Sequence, residues 1–206
     1  MSQSRTIGLI LFDGVEELDF VGPFEVFTMS NEMFGYQSNP LRDQIVLISE
    51  TGGQVTGAKG MRVLADHSFA TAPKLDVMLV PGGEGTRREA ESAPFLDYVQ
   101  RTAEGCEWVT SVCTGSLVYA AAGLAKGKRV TTHWAFLETL KGMGLAGDVV
   151  DEVRYVRDGR LVTAAGVSAG IDMALWLVGQ MHGPDHARLT QKGMQYDPAP
   201  PYAAAV

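Results

Sequence analysis

The chain has little cysteine, few cations and no long apolar run, and each scarcity closes off a class of protein. Its 206 residues include only 2 cysteines, Cys106 and Cys113. That is too few for a disulfide framework, and no histidines stand beside them to complete a zinc site. Lys and Arg total 17 against 24 Asp and Glu, giving a formal net charge of -7 and a pI near 5.1. Binding to a phosphate backbone needs a basic face, so no nucleic-acid partner is expected. No stretch approaches the ~20 apolar residues that span a bilayer. The opening Ser2-Gln3-Ser4-Arg5-Thr6 lacks the n-region and cleavage site of a signal peptide. The expectation is a cytoplasmic protein with no membrane association. Neither a GxGxxG motif, a Walker A motif nor a His/Cys cluster occurs, so no cofactor and no metal are expected.

What is present is ordinary globular material: 46% hydrophobic and 20% charged residues. A chain of this length buries roughly 70% of its unfolded surface and needs no cross-link to hold a core. Thr6–Phe12 is a near-continuous apolar run ending in Asp13-Gly14, the pattern of a central strand covered on both faces. Helical spacing follows from Leu18 to Met29, with Gly22-Pro23 predicting the helix start. Gln44–Ser49, Asp76–Val80 and Trp108–Val112 read as buried strands, and Val130–Thr132 as a shorter one. Helices are predicted from Ala93 to about Ala103, over Thr114–Ala122, from about Trp134 to Lys141 and over Ala169–Met181. Asp158-Gly159, between Val153–Arg157 and Leu161–Ala164, marks a hairpin. The alternation predicts an α/β domain, a largely parallel sheet sandwiched by helices. A single domain over 1–206 is expected, with an extended proline-rich tail over about 196–206.

In such sheets ligands gather at the carboxyl ends of the strands. At one of these ends stands Ser111-Val112-Cys113-Thr114-Gly115-Ser116, an apolar strand running straight into a cysteine and then a small-residue helix. This is the pattern of a nucleophile elbow, and a thiol at a helix start is expected to have a lowered pKa. Cys106, in Glu104-Gly105-Cys106-Glu107, has no such context and reads as structural. Thr114, not histidine, follows Cys113, so a proton carrier has to come from elsewhere. Asp19, between Leu18 and Phe20, is a candidate whose side chain would point inward with a raised pKa, although a purely structural carboxyl fits its spacing as well. Glu16 and Glu17 are explained by a solvated helix start. Pro81-Gly82-Gly83 offers backbone amides for developing negative charge, or is simply a tight turn. His133 lines the same pocket or serves structurally; His182 and His186 read as surface, and Asp172 as a structural cap or pair.

Five motifs together resemble the DJ-1/PfpI (ThiJ) superfamily: Glu17-Leu18-Asp19-Phe20-Val21-Gly22-Pro23, Val80-Pro81-Gly82-Gly83, Thr110–Ser116, Thr131-Thr132-His133-Trp134-Ala135 and Ser168–Asp172. With the tail Tyr196-Asp197-Pro198-Ala199-Pro200-Pro201, the likeness is greatest to the isonitrile-hydrating branch. The resemblance implies a flavodoxin-like three-layer sandwich, related to class I glutamine amidotransferases, that forms a homodimer and uses no cofactor. It also implies attack of Cys113 on an isonitrile to give a thioimidate, with Asp19 carrying protons and Thr114 orienting the pair. Gly83 and His133 would then contribute to substrate binding. The protease-like and DJ-1-like branches usually carry Glu at the position of Asp19, and the protease-like branch has His where Thr114 stands. Both departures count against a peptidase and, less strongly, against a glyoxalase. Two other readings are a glyoxalase-like enzyme dependent on His133, and a cysteine redox or small-molecule sensor related to the sensory domains of AraC-type regulators.

Overall fold

A computed structural model describes residues 3–198. Its first half runs β1 (Thr6–Leu11), α1 (Glu17–Tyr36), β2 (Gln44–Ser49), β3 (Gln54–Thr56), β4 (Arg62–Leu64), β5 (His67–Ser68) and β6 (Val77–Val80). There follow α2 (Thr86–Glu89), α3 (Ala93–Gly105), β7 (Trp108–Val112), α4 (Gly115–Ala121) and β8 (Arg129–Val130). A 3-10 turn over Trp134–Phe136 leads into α5 (Leu137–Gly142), β9 (Asp148–Val149), β10 (Tyr155–Asp158), β11 (Leu161–Ala164), α6 (Ala169–His182) and α7 (Pro184–Gly193).

The central sheet has the order β10-β11-β7-β6-β1-β2-β5. Every neighbouring pair in it is parallel except the β10–β11 hairpin. Strands covered on both faces need apolar residues throughout, which is why β6 is Val-Met-Leu-Val and completely buried. Helices α1, α6 and α7 pack on one another, while α2, α3 and α5 gather around α4. The chain leaves β1 toward β2 and β5, then returns to lay down β6, β7 and β11 on the other side. The switch point therefore lies between β1 and β6, and the segments after β1, β6 and β7 all emerge there. The fold class agrees with the sequence reading.

Four local expectations need correction. Helix α1 begins at Glu17, not at Gly22-Pro23, and carries Pro23 in its interior. An interior proline costs ~3 kcal/mol; burial of Phe20, Val26, Phe27 and Phe34 outweighs that loss. Thr131 and Thr132 lie beyond β8 and use their side chains instead: Thr131 Oγ1 donates to the Val150 carbonyl and Thr132 Oγ1 to the Cys113 carbonyl. His182 and His186 are not on the surface. His182 Nε2 lies 2.6 Å from Asp43 Oδ2, and His186 stacks on Phe34 with Nε2 2.9 Å from Ser30 Oγ. Finally, the short antiparallel pair β3–β4 and the helix α7 were not anticipated. Asp172 pairs with Arg154 at 2.5 Å and accepts from Tyr196 Oη at 2.8 Å, so the tail begins against α6; its residues 199–206 lie outside the described residues.

Among the described residues no helix is long and apolar enough to cross a membrane, and no group of three or more His, Cys, Asp or Glu side chains is placed to hold a metal ion.

Candidate active site

Strand β7 delivers Cys113 to the sheet edge in a left-handed conformation, φ +55°. A non-glycine residue held there costs about 1–3 kcal/mol, which its surroundings supply. The Cys113 N–H donates to the carbonyls of Ala164 and Ala165, at 3.1 and 2.7 Å, and its carbonyl accepts from Thr132 Oγ1 at 2.9 Å and Ser116 Oγ at 3.1 Å. The elbow closes because Gly115 has no side chain: a methyl group there would lie 2.1 Å from the Val80 carbonyl oxygen. The expected strand–turn–helix elbow is therefore present, with α4 starting at Gly115.

Asp19 enters the same space from the first turn of α1 and is completely buried. Its Oδ2 accepts the Gly82 N–H at 2.9 Å, whereas its Oδ1 is buried and has no hydrogen-bond partner among the described residues. Gly82 is where acid and thiol meet. A methyl group on this glycine would lie 2.7 Å from Asp19 Oδ2, 2.7 Å from Cys113 Cβ and 2.6 Å from the Thr114 amide. Burial pushes the Asp19 carboxyl up to about 7, with the Gly82 amide offsetting only part of that rise. This matches the inward, raised-pKa carboxyl read from the sequence.

The thiol departs from expectation. Burial, then the neighbouring Asp19 charge, push Cys113 up to about 12, against the lowering influence of the Thr114 amide and hydroxyl and the Val167 amide. The helix start does favour the thiolate, but α4 is only 7 residues long and desolvation is the larger effect. Cys106 is also buried, with its thiol directed at the Thr102 and Leu75 carbonyls. It is remote from this chemistry and fits the structural role expected of it.

Thr114 Oγ1 accepts the Gly83 N–H at 3.0 Å and lies 3.0 Å from Thr86 Oγ1. The Gly83 amide is thus engaged by Thr114 rather than free for developing negative charge, as the Pro81-Gly82-Gly83 reading had it. Gly83 itself sits at φ +122°, and a side chain there would strike the Gly14 carbonyl at 2.3 Å. His133 accepts the Ala135 N–H on Nδ1 at 3.2 Å, capping the 3-10 turn, and its ring packs against Gly166. With Nδ1 as acceptor, the neutral ring carries its proton on Nε2.

A cavity of about 340 Å³ opens above Cys113, and Gly83, Thr114 and His133 line it as well. Asp19 lies beneath it. The remaining wall was missed by sequence reasoning: Ala58 and Lys59 from the loop between β3 and β4, Glu84 just before α2, Arg87 from α2, and Phe136 and Val167. Glu16 lines it too, paired with Lys59, while Glu17 Oε1 accepts the Lys59 N–H at 2.7 Å and anchors that loop. These acids are therefore tethers rather than merely a solvated helix start. Thr86, completely buried beneath Thr114, was also missed. Val167 adopts φ +49°, an outlier for a β-branched residue that its type in the sequence would not announce.

A buried carboxyl meeting an elbow cysteine at the switch point of a parallel sheet defines a cysteine-centred α/β class. Residues 5–180 match the DJ-1/PfpI family, and the chain belongs to that family. It is 41% identical to the isonitrile hydratase of Pseudomonas putida, over 95% of this chain and 80% of that protein. It resembles the crystal structure of a THiJ/PfpI family protein from Pseudomonas syringae with a TM-score of 0.87 and 31% identity, covering 100% of this chain and 80% of that one. Drosophila melanogaster DJ-1beta matches at a TM-score of 0.81 and 24% identity, over 95% and 100% of the two chains; at that identity the likeness is one of fold.

Proposed function

We propose that the chain hydrates isonitriles, R–N≡C, to N-substituted formamides, with Cys113 as nucleophile and Asp19 as proton carrier. The observation that carries this reading is the meeting of Asp19 Oδ2 and Cys113 Cβ over a glycine, with an unpartnered Oδ1 alongside. The 41% identity to an isonitrile hydratase supports the same substrate class.

An isonitrile carbon accepts a nucleophile and is left with an electron pair, so it needs a proton at that same carbon. As the Sγ–C bond forms, the thiol proton passes to the Asp19 carboxylate. Asp19 then returns that proton to the carbon, giving the thioimidate R–N=CH–S–Cys113. Water adds next to this carbon, losing a proton to Asp19, which delivers it to nitrogen. The C–S bond breaks, the hydroxyl proton returns to sulfur, and R–NH–CHO leaves. One isonitrile and one water give one formamide, and thiol and carboxylate are restored. The Thr114 and Val167 amides and the Thr114 hydroxyl favour negative charge on sulfur while it builds. Thr86 and Gly83 hold the Thr114 hydroxyl in place. The reaction as written draws on no cofactor.

The test is incubation with a simple aryl or alkyl isocyanide and detection of the formamide. Turnover by the wild type and none by Cys113→Ala is expected. Absence of formamide, or an undiminished rate in Cys113→Ala, overturns the proposal.

A further inference from the structure

The cavity above Cys113 has in its wall an arginine that forms no ion pair among the described residues. Four charged residues line this cavity: Glu16, Lys59, Glu84 and Arg87. Lys59 is paired with Glu16. The Glu84 side chain runs along Gly14, where an added methyl group would come within 3.1 Å of its Cγ, and both Glu84 and Arg87 also border the neighbouring groove over Asp13, Gly14 and Thr56. Arg87 is different. Among the described residues no carboxylate oxygen lies within 4.0 Å of its guanidinium. Its sequence neighbour Arg88, by contrast, donates to Glu89 Oε1 and to the Asp13 carbonyl, each at 2.8 Å.

Arg87 is nevertheless held. Its guanidinium carbon stands 4.8 Å from the centre of the Phe136 ring, another wall of the same cavity. Stacking on an aromatic face orients the planar cation and leaves its edge donors open. A chain with net charge -7 repels anions at long range, so an unpaired arginine beside a reactive cavity is a specific local exception. The space also has the right size. A cavity of ~150 Å³ accommodates benzene, and the one here, about 340 Å³, holds a ring together with a substituent. An isonitrile is linear through C≡N–C, so with its carbon at the sulfur its organic group projects away from Cys113 into this space.

Resting on the hydratase reading, we infer that the isonitriles this chain favours carry a carboxylate at the end remote from the isocyano group, bound by Arg87 on its Phe136 platform. Arg87 is then a specificity residue, since it touches the substituent and not the reacting carbon. A carboxylate matches the guanidinium fork with two parallel hydrogen bonds, which a neutral group of the same shape cannot reproduce.

The experiment compares 4-isocyanobenzoate with its methyl ester in wild type, Arg87→Gln and Arg87→Lys, measuring kcat and KM for each. The wild type is expected to prefer the acid by about tenfold in kcat/KM, mainly through KM, and added salt should erode that preference. Arg87→Gln should cut the acid-to-ester ratio about tenfold, and Arg87→Lys should retain part of it. An acid-to-ester ratio that is the same in wild type and Arg87→Gln overturns this inference while leaving the hydratase reading standing. Failure of both compounds to turn over in the wild type overturns the hydratase reading, and the inference with it.

Discussion

Asp19 is the residue through which pH reaches the site. Its carboxyl loses a proton near pH 7, while the thiol keeps its own to about 12. The working form of the pair holds one proton, so kcat/KM for a neutral isonitrile should rise with pH through about 7 and then level off. A profile that falls through this range would contradict the assignment. Asp19→Asn keeps an acceptor for the Gly82 amide but removes the proton carrier, and turnover should drop by about 10²-fold or more. Gly82→Ala tests the geometry while leaving the identity of both groups unchanged. Its methyl lands within 2.7 Å of three neighbours, two of which belong to the acid–thiol pair. Overpacking of this kind costs about 1–3 kcal/mol, and activity should fall far more than stability, as kinetics and urea unfolding run in parallel will show.

At the scale of elements, α1 joins two kinds of buried polar chemistry. Its first turn carries Asp19; farther along, Ser30 and Phe34 pack against His186 of α7, with the His182–Asp43 pair next to them. Burial, then the nearby His182, lower the His186 pKa below its ordinary value. The folded chain therefore binds fewer protons here than the unfolded chain, and stability is lost as pH falls from about 6.5 through the folded value. His186→Gln should flatten the pH dependence of chemical denaturation below about pH 6.5; an unchanged slope would remove His186 as its source. None of this was legible in the sequence, because His182 and His186 follow a strongly apolar helix and only the packing of α7 on α1 encloses them. The strands were legible. Runs such as Val-Met-Leu-Val have one reading once they are too short for a helix. The start of α1 was misread because Gly22-Pro23 is a good local breaker, and tertiary burial overrode it.

Across the whole molecule, the same principle explains which parts of the site could be read in advance. A parallel sheet brings every strand end to one edge, so Cys113, Gly83 and His133 could be assigned to it from strand positions alone. Arg87, Phe136 and Val167 sit on segments whose approach depends on how the helices pack, and no periodicity encodes that. Asp19 also leaves a mark on global stability. The folded chain retains its proton up to about pH 7, whereas an ordinary aspartate loses it near 3.8. Stability therefore falls as pH rises through that window, by up to about 4 kcal/mol. Asp19→Asn should be more stable than wild type at pH 8, with the difference vanishing near pH 4; thermal melts at the two pH values will decide. The homodimer implied by the family likeness is open to light scattering, where a mass near twice 22.1 kDa is expected and a monomer mass refutes it.

The protonated thiol carries a consequence for chemoselectivity. Burial and the neighbouring Asp19 charge hold the Cys113 pKa above its ordinary value, so at neutral pH the thiol form is favoured over the thiolate. Peroxide and alkylating agents, which react with free thiolate, should therefore modify Cys113 slowly, as mass spectrometry after mild exposure will show. In the proposed reaction an isonitrile is handled differently, because the carboxylate would remove the proton only as the bond to carbon forms. The same burial that places Asp19 beside Cys113 would then set the thiol's selectivity among electrophiles.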